Sequence, residues 1–539
     1  MRTRTLIILA VLCVFSACLS SAFAAEKPNV VFIMTDQQRW DTLECYRTAN
    51  GISDLQTILT PAIDSLASGG TLFSNAYVNC PQCMPSRATL YTGLHPTTHG
   101  YYWNKASLPF PENEVDKTIA WDFKRNGYKT ACFGKMHISQ RSAFDLGFGE
   151  TPQSNFEDEE DVDAPNYDYF TWVKTQSGRT NSNRFQGVPF PGNDGNYDYP
   201  IEEHHEYAIT DRAVQFIDDN ASNPFFMWVS YFGPHTPLNN PEPYWSTLDP
   251  NDMPFPPLPP GGAGDDAPRQ LHAGLADTQP SEAAPMTPAK WQLCKSQYYA
   301  RVMFIDDMVQ RIIDKLEAND LLDNTIIVFT ADHGDMMGDH GLYTKGQYGY
   351  DGTTRIPMII KAPGVSVPGA IEPGLTSQVD LVTTLYRLAG LPVPRRHQGK
   401  SLVPVMEGTV EKINDVIYSE IGPDPVNRIR IVVTEDYKYV HYGTSYKNGS
   451  EELFDRNADP REFTNLVPDS GYAVELSQMR QLKNDWVDYL DNWVDRSGYE
   501  ADPDLETFLA PVQAWLILPI LFIAFLFVTV RRMWRREDA

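Results

Sequence analysis

The chain has 539 residues, 42% of them hydrophobic, with a formal net charge of −26. Such a length is too great for one small domain and suits a large α/β domain plus a smaller one, with enough apolar residues to bury a sizeable core. The acidic surface repels nucleic acid, which is excluded as a partner. It also repels anionic substrates at long range, so an anion site has to be a local cluster of cations.

At the N-terminus, Arg2 and Arg4 precede an apolar run that ends in Ala22-Phe23-Ala24. This predicts a signal peptide over residues 1–24 and an exported protein on the periplasmic, extracellular or lumenal side. Cys13 and Cys18 leave with it. Cys45, Cys80, Cys83, Cys132 and Cys294 remain; five is odd, so at least one has no partner within the chain.

Four apolar runs follow, each ending on a chemically active residue. NVVFIMT ends at Asp36, YKTACFG at Lys135, PFFMWVSYFGP at His235 and NTIIVFTA at Asp332. Continuous runs of this length predict strands buried on both faces, hence a mostly parallel sheet sandwiched by helices. Sheets of that kind bind ligands beyond the carboxyl ends of their strands, so two carboxylates, a lysine and a histidine are expected at one edge. Helices are predicted over PAIDSLASGG (61–70), YAITDRAVQFIDDN (207–220) and YARVMFIDDMVQRIIDKLEAN (299–319), where apolar residues recur at helical spacing. Residues 150–200 are irregular, acidic and aromatic, and read either as a substrate-facing wall or as a solvated loop. Pro241 to Ala289 is rich in Pro, Gly and Asp and reads as a long surface loop.

After about residue 410 the pattern changes. RIRIVVTEDYKYVHYG predicts a hairpin, and AVELSQMRQLKNDWVDYLDNWV an amphipathic helix with Leu476, Met479, Trp486, Leu490 and Trp493 on related faces. The expected organisation is a domain over 25–405 and a smaller α+β subdomain over 406–500. Residues 510–530, APVQAWLILPILFIAFLFVTV, carry no charge, and Arg531, Arg532, Arg535 and Arg536 follow. That predicts one transmembrane helix anchoring the protein in a membrane, with a basic cytoplasmic tail over 531–539. A sorting signal removed after export has the same pattern.

An exported cysteine is usually a disulfide partner. Cys83 instead opens CMPSRATLYTG, followed by GLHPTTHG, with Pro85, Ser86 and Arg87 at fixed spacing. This segment resembles the signature of the formylglycine-dependent sulfatases, of alkaline-phosphatase-like fold, and the resemblance runs from about Lys27 to Trp493. It implies that a formylglycine-generating enzyme reads Pro85 and Arg87 and oxidises Cys83. The chemistry is coherent: one hydroxyl of the hydrated aldehyde attacks sulfur, and the other expels sulfate by collapse to the aldehyde.

Further motifs carry the resemblance. MTDQQRWD resembles the first metal strand, with Asp36 and Gln37 where many members have two aspartates, as in a choline-sulfatase-like and arylsulfatase subset. TADHGDMMGDHGLYTKG resembles the second metal strand and the lysine after it. The implied metal set is Asp36, Gln37, Cys83, Asp332 and His333, holding Ca²⁺ or Mg²⁺. Restoring the commoner pair by Gln37→Asp is expected to be tolerated. GKMH resembles Gly-Lys-Trp-His; it implies that Lys135 binds the nucleophile or sulfate and that His137 is the base for the second step. GPHTP sets His235 against sulfate as leaving-group acid, and Lys345 matches the sulfate-binding lysine. Arg87, Lys135, Lys345 and a cationic His235 then form the positive cluster an acidic protein needs.

His99 and His340 read as packing residues. His204 and His205 either line the pocket or sit on a solvated turn, Asp380 reads as a helix N-cap, and Asp351 replaces a family glutamate with no role attached. The implied activity is hydrolysis of a sulfate monoester on a sulfated small molecule or glycan, by S–O cleavage. The alternatives are a phosphonate monoester or phosphodiester hydrolase of the same superfamily, and a catalytically dead, membrane-tethered binding protein.

Overall fold

The computed structural model describes residues 27–493 except 53–57, 105–109, 139–140, 151–152, 155–199, 237, 256–286, 343, 423–427 and 444–449. The expected signal peptide (1–24), most of the acidic stretch 150–200, the middle of the 241–289 loop, the apolar run 510–530 and the basic tail lie outside the described residues. Among those described, no helix is long and apolar enough to cross a membrane.

Nine strands form the main sheet: β1 (Asn29–Asp36), β2 (Thr71–Tyr77), β3 (Lys129–Lys135), β4 (Gln153–Ser154), β5 (Phe225–Pro234), β6 (Thr325–Ala331), β7 (Arg355–Ile356), β8 (Met358–Lys361) and β9 (Ala370–Ser377). Their order is β4-β3-β5-β1-β6-β8-β2-β7, with β9 also on β2. The run from β4 to β6 is parallel throughout, and β9 is parallel to β2. Only the short β7 and β8 run against their neighbours. The four predicted apolar runs are thus four adjacent parallel strands, and their carboxyl ends converge on one edge.

Alternation along β1 divides the core in two. Val30, Phe32 and Met34 pack on one face with Phe226, Trp228 and Val328, and Phe32 stacks on Trp228 at 4.0 Å. Val31 and Ile33 point to the other face, among Met227, Val229, Ile327 and Phe329. Helices α1 (Pro61–Ser68), α3 (His205–Asn220) and α4 (Pro288–Ala318) supply Ile63, Leu66, Phe216, Ile305 and Ile312 to that second face. Helices α2 (Cys83–Thr92) and α5 (Gln378–Leu388) supply Leu90, Tyr91, Leu381 and Leu385 to the first. Each such side chain contributes about 1.5–3 kcal/mol on burial, which is why strands covered on both faces read as unbroken apolar runs.

Helix α4 begins at Pro288, well before the apolar periodicity that starts at Tyr299. Thr287 caps it and Pro288 occupies its first turn, so capping chemistry sets this start. At α5 the N-cap is Ser377, not Asp380. Asp380 sits one turn in, and its Oδ2 accepts the Ser377 N–H at 3.0 Å, the reciprocal half of a capping box. Ser74 and Asn75 interrupt β2, and Pro373 and Gly374 interrupt β9, so neither shows a buried-strand pattern; among the described strands β9 pairs only with β2, an edge position that tolerates them.

The C-terminal unit is an antiparallel sheet, β10 (Ile417–Ile421), β11 (Ile429–Val433), β12 (Tyr437–His441) and β13 (Glu451–Asp455), covered by α6 (Ala473–Asp491). The expected hairpin is β11–β12. Leu476 and Met479 of α6 pack on Val432, Tyr439 and Leu453, and Trp486 stacks on Tyr418 at 4.9 Å. The sheet's other face lays Ile417, Ile431 and Val440 against Tyr77 and Leu375 of the main domain. Within this interface Lys438, fully buried, places Nζ 2.6 Å from Asp351 Oδ1 and 2.7 Å from Glu462 Oε1. Burial alone would raise the Asp351 carboxyl, but Lys438, Arg355 and Arg456 outweigh it and hold it down at about 2. Asp351 therefore has a structural role: it ties the segment after Lys345 to the second sheet.

Removing one partner from a buried ion pair leaves a charge without compensation. Lys438→Ala should therefore cost about 3–5 kcal/mol of stability in urea unfolding. A loss below about 1 kcal/mol would mean that the apolar contacts alone hold the two sheets together.

Candidate active site

Each functional side chain arrives at the end of a strand or the start of a helix. β1 ends at Asp36, and Gln37 turns the chain with a left-handed backbone (φ 65°). That conformation is costly outside glycine and is held here from both sides. The Gln37 N–H donates to Asp332 Oδ1 at 3.0 Å, and its carbonyl accepts the Tyr298 hydroxyl at 2.5 Å. β3 reaches Lys135 through Gly134 (φ 95°), where a Cβ would sit 2.0 Å from the Ser230 carbonyl oxygen of β5. Only glycine lets the two strands approach so closely. β5 leads into His235, and Asp332 and His333 follow β6. Cys83 is the first residue of α2, immediately beyond β2 and its loop.

At the floor of the site lies a guanidinium. Arg87, one turn into α2 and fully buried, donates through Nε to Asp332 Oδ2 at 2.9 Å and through Nη2 to Asp36 Oδ2 at 2.9 Å. Its Nη1 donates to the Lys135 carbonyl at 2.6 Å and to Ser230 Oγ at 2.8 Å. Lys135 Nζ adds a further cation, 2.8 Å from Asp36 Oδ2. Burial would raise the Asp36 carboxyl, yet the Lys135, Arg87 and Lys345 cations hold it well below the usual carboxylate range. Arg87 was expected among the cations that face substrate. Its donors are instead spent on protein groups, so it positions the carboxylates.

The Cys83 thiol lies above this floor. Sγ is 3.1 Å from His333 Nε2, 3.8 Å from Asp36 Oδ1 and 3.9 Å from Lys135 Nζ. His333 Nδ1 lies 2.8 Å from the Gly334 carbonyl. A proton on that nitrogen leaves the Nε2 lone pair aimed at residue 83. Ligand atoms of Asp36, Cys83, Asp332 and His333 all lie within 4.8 Å of one another, and all four residues are buried. Four of the five expected metal residues thus converge through their side chains. For the fifth, the Gln37 side-chain oxygen accepts from Lys345 Nζ at 3.0 Å and its NH₂ donates to Asp335 Oδ2.

The outer part of the site is half-buried. Lys345 Nζ lies 2.8 Å from His235 Nε2, while His235 Nδ1 lies 2.6 Å from the Thr236 carbonyl. The carbonyl needs a donor at Nδ1 and the ammonium needs an acceptor at Nε2, so the ring is neutral. Burial, with Lys345 and Lys135 nearby, pushes this histidine down to about 3 despite the pull of Asp36. The expectation of a cationic His235 is therefore corrected: Lys345 carries the charge of that pair. His137 sits two residues past β3, buried and in the left-handed region (φ 51°).

Outside the site, His204 and His205 do not lie on a solvated turn. Both are buried, stacked on each other at 4.1 Å, with His204 against Phe304. His99 and His340 are packing residues as expected; His99 meets Thr89 Oγ1 and His340 stacks on Tyr350. All five described cysteines are free thiols. Sequence reasoning missed Ser230, hidden as a lone polar residue inside an apolar strand, and Asp335. The signal for Asp335 was an acid two residues beyond the Asp332-His333 pair in DHGD.

A parallel sheet that gathers carboxylates, cations and a helix-borne nucleophile position at its carboxyl edge defines a hydrolase of the alkaline-phosphatase-like class. The family model described as Sulfatase matches residues 28–391, and the chain belongs to that family. A second model, for the C-terminal region of N-sulphoglucosamine sulphohydrolase, matches residues 338–487. The chain is similar to an arylsulfatase of Clostridium perfringens, with 28% identity over 482 residues, covering 85% of this chain and 93% of that one. An uncharacterized sulfatase of Escherichia coli is 30% identical over 469 residues, covering 86% and 88%. Among solved structures, the phosphonate monoester hydrolase of Agrobacterium radiobacter superposes with a TM-score of 0.70 at 25% identity, covering 84% and 94%.

Lysine cannot span the acceptors that the fork of Arg87 bridges. Arg87→Lys should therefore lower stability by at least about 2 kcal/mol in thermal unfolding, measured on protein with unmodified Cys83 so that maturation plays no part. An unchanged melting curve would show that the carboxylate pair does not need this cation.

Proposed function

We propose that this sulfatase hydrolyses a sulfate monoester by S–O cleavage through a hydrated formylglycine formed from Cys83. The observation that carries the reading is the convergence of residue 83 with Asp36, Asp332, His333 and Lys135 at one buried point. The unmodified thiol stands where the hydrate's oxygens would be.

The donor set fits a hard divalent cation. Two carboxylates bridged by Arg87, an imidazole lone pair and an oxygen at residue 83 suit Ca²⁺ or Mg²⁺. Asp36, Asp332 and His333 would hold it, and when bound it supplies Lewis-acid stabilisation of negatively charged oxygen. The remaining chemistry belongs to the chain. One hydroxyl of the hydrate gives up its proton to solvent and attacks sulfur as the bond from sulfur to the alcohol oxygen breaks; solvent later returns a proton to Lys345. Lys345, the cation of its pair with His235, stabilises that leaving oxygen and supplies its proton. His137 then takes the proton of the second hydroxyl; the carbonyl re-forms, the carbon–oxygen bond to sulfate breaks, and water regenerates the hydrate.

The similarity to a phosphonate monoester hydrolase supports a second reading, in which the same nucleophile acts on phosphorus. The reading also includes export through residues 1–24, maturation by a formylglycine-generating enzyme and anchoring by 510–530. Its support is the apolar runs with their basic neighbours and the Cys83-Pro85-Arg87 motif.

Mass spectrometry of the peptide holding residue 83 should show conversion of thiol to aldehyde in active protein, and full activity with intact cysteine would refute the mechanism. Parallel kcat/KM values on aryl sulfate and aryl phosphonate should favour sulfate; a preference for phosphonate selects the second reading. Asp36→Ala and Asp332→Ala should each remove a stoichiometric divalent ion by elemental analysis and reduce turnover by roughly 10²-fold or more. Stoichiometric zinc in the parent protein would overturn the metal assignment.

A further inference from the structure

We propose that Asp335 is a positioning residue that orients the Gln37 amide and the Lys345 ammonium, and that residue 37 is an amide because Asp335 faces it. The inference rests on the reading of Lys345 as a working cation of the sulfatase site.

Asp335 is buried, 3% exposed. Its Oδ1 accepts the backbone N–H of Met337 at 2.7 Å and of Thr344 at 2.9 Å. Those two residues stand at the neck of a loop that closes on itself, with the Met336 N–H donating to the Thr344 carbonyl at 3.1 Å and the Gly338 N–H to the Leu342 carbonyl at 2.7 Å. Lys345 is the next residue after that neck, so Asp335 fixes where its stem begins. The other oxygen, Oδ2, accepts the side-chain NH₂ of Gln37.

The consequence for Gln37 is directional. Its backbone is already pinned by Asp332 and Tyr298, so what remains to be set is which end of the amide points where. With NH₂ committed to Asp335, the amide oxygen is turned to Lys345 Nζ at 3.0 Å, and Lys345 in turn reaches His235 Nε2 at 2.8 Å. A side chain at 37 must therefore donate at one end and accept at the other. A carboxylate accepts at both ends and cannot donate to Asp335. This geometry argues against the expectation that Gln37→Asp is tolerated, because it sets two acceptor-only side chains at positions where one has to donate.

The test exchanges donor and acceptor. Gln37→Glu keeps the length and puts an acceptor against Asp335. Asp335→Asn puts a donor against the Gln37 NH₂. The double variant Gln37→Glu/Asp335→Asn restores the match with its direction reversed. The amide oxygen now at position 335 still accepts both loop N–H groups, and its NH₂ donates to the carboxylate now at position 37. That carboxylate keeps its other oxygen for Lys345. Each single variant should lose roughly ten- to hundredfold in kcat/KM on an aryl sulfate, and the double variant should recover to within about threefold of the parent. Melting curves recorded beside the kinetics should show all three folded at assay temperature, so that the losses are not loss of folded enzyme.

A double variant no better than the poorer single one overturns the proposal, as does a Gln37→Glu enzyme with parental kcat/KM. Should Asp335→Asn fail to fold, Gln37→Glu alone decides by that second criterion. A parent protein inactive on every sulfate and phosphonate ester would instead refute the proposed function, an outcome separate from failure of the rescue.

Discussion

Two carboxylates cannot sit ionised, a few ångströms apart and out of water, unless cations are built in beside them. Arg87 meets that constraint from α2, bridging Asp36 and Asp332 while also binding the Lys135 backbone and Ser230 of β5. One side chain thereby ties the ends of β1, β3, β5 and β6 to the helix that starts at Cys83. Strand order, helix start and nucleophile position become a single unit, and displacing any one of them breaks a buried charge contact. The geometry also leaves an oxygen of each carboxylate close to residue 83.

The second sheet supports the site from behind. Tyr350 donates to Glu452, the Asp351 N–H donates to Glu462, and Lys438 joins Asp351 to Glu462. A Cβ at Gly349 would lie 2.9 Å from Ile431 and from Val440, so the segment runs flush against β11 and β12. Lys345 is therefore carried by a segment fixed at two places. At one end Asp335 closes the loop before Lys345, and at the other the C-terminal sheet holds the residues after it.

Charge is distributed to the same end. An acidic protein gathers Lys135, Lys345 and Arg87 within one edge of one sheet, and each is matched by a partner already in the structure. His235 remains neutral because Lys345 stands against it, so the pair carries one positive charge and not two. This arrangement keeps the site attractive to an anion without accumulating repulsion among its own cations.

Much of this was legible in the sequence. Unbroken apolar runs ending at Asp36, Lys135, His235 and Asp332 define parallel strands, because a strand buried on both faces has no polar side to show, and their chemical residues must then share an edge. The cysteine motif was legible because its residue types stand at fixed local spacing. What the tertiary structure alone decided are matters of direction and contact between segments distant in the chain. Whether Arg87 faces substrate or the carboxylates depends on α2 crossing the ends of β1 and β6. Whether His235 is charged depends on a lysine 110 residues away, and which way the Gln37 amide points depends on Asp335, 298 residues away. Periodicity and spacing report local conformation and burial, whereas a proton's location or an amide's orientation is set by whichever group the fold brings to face it.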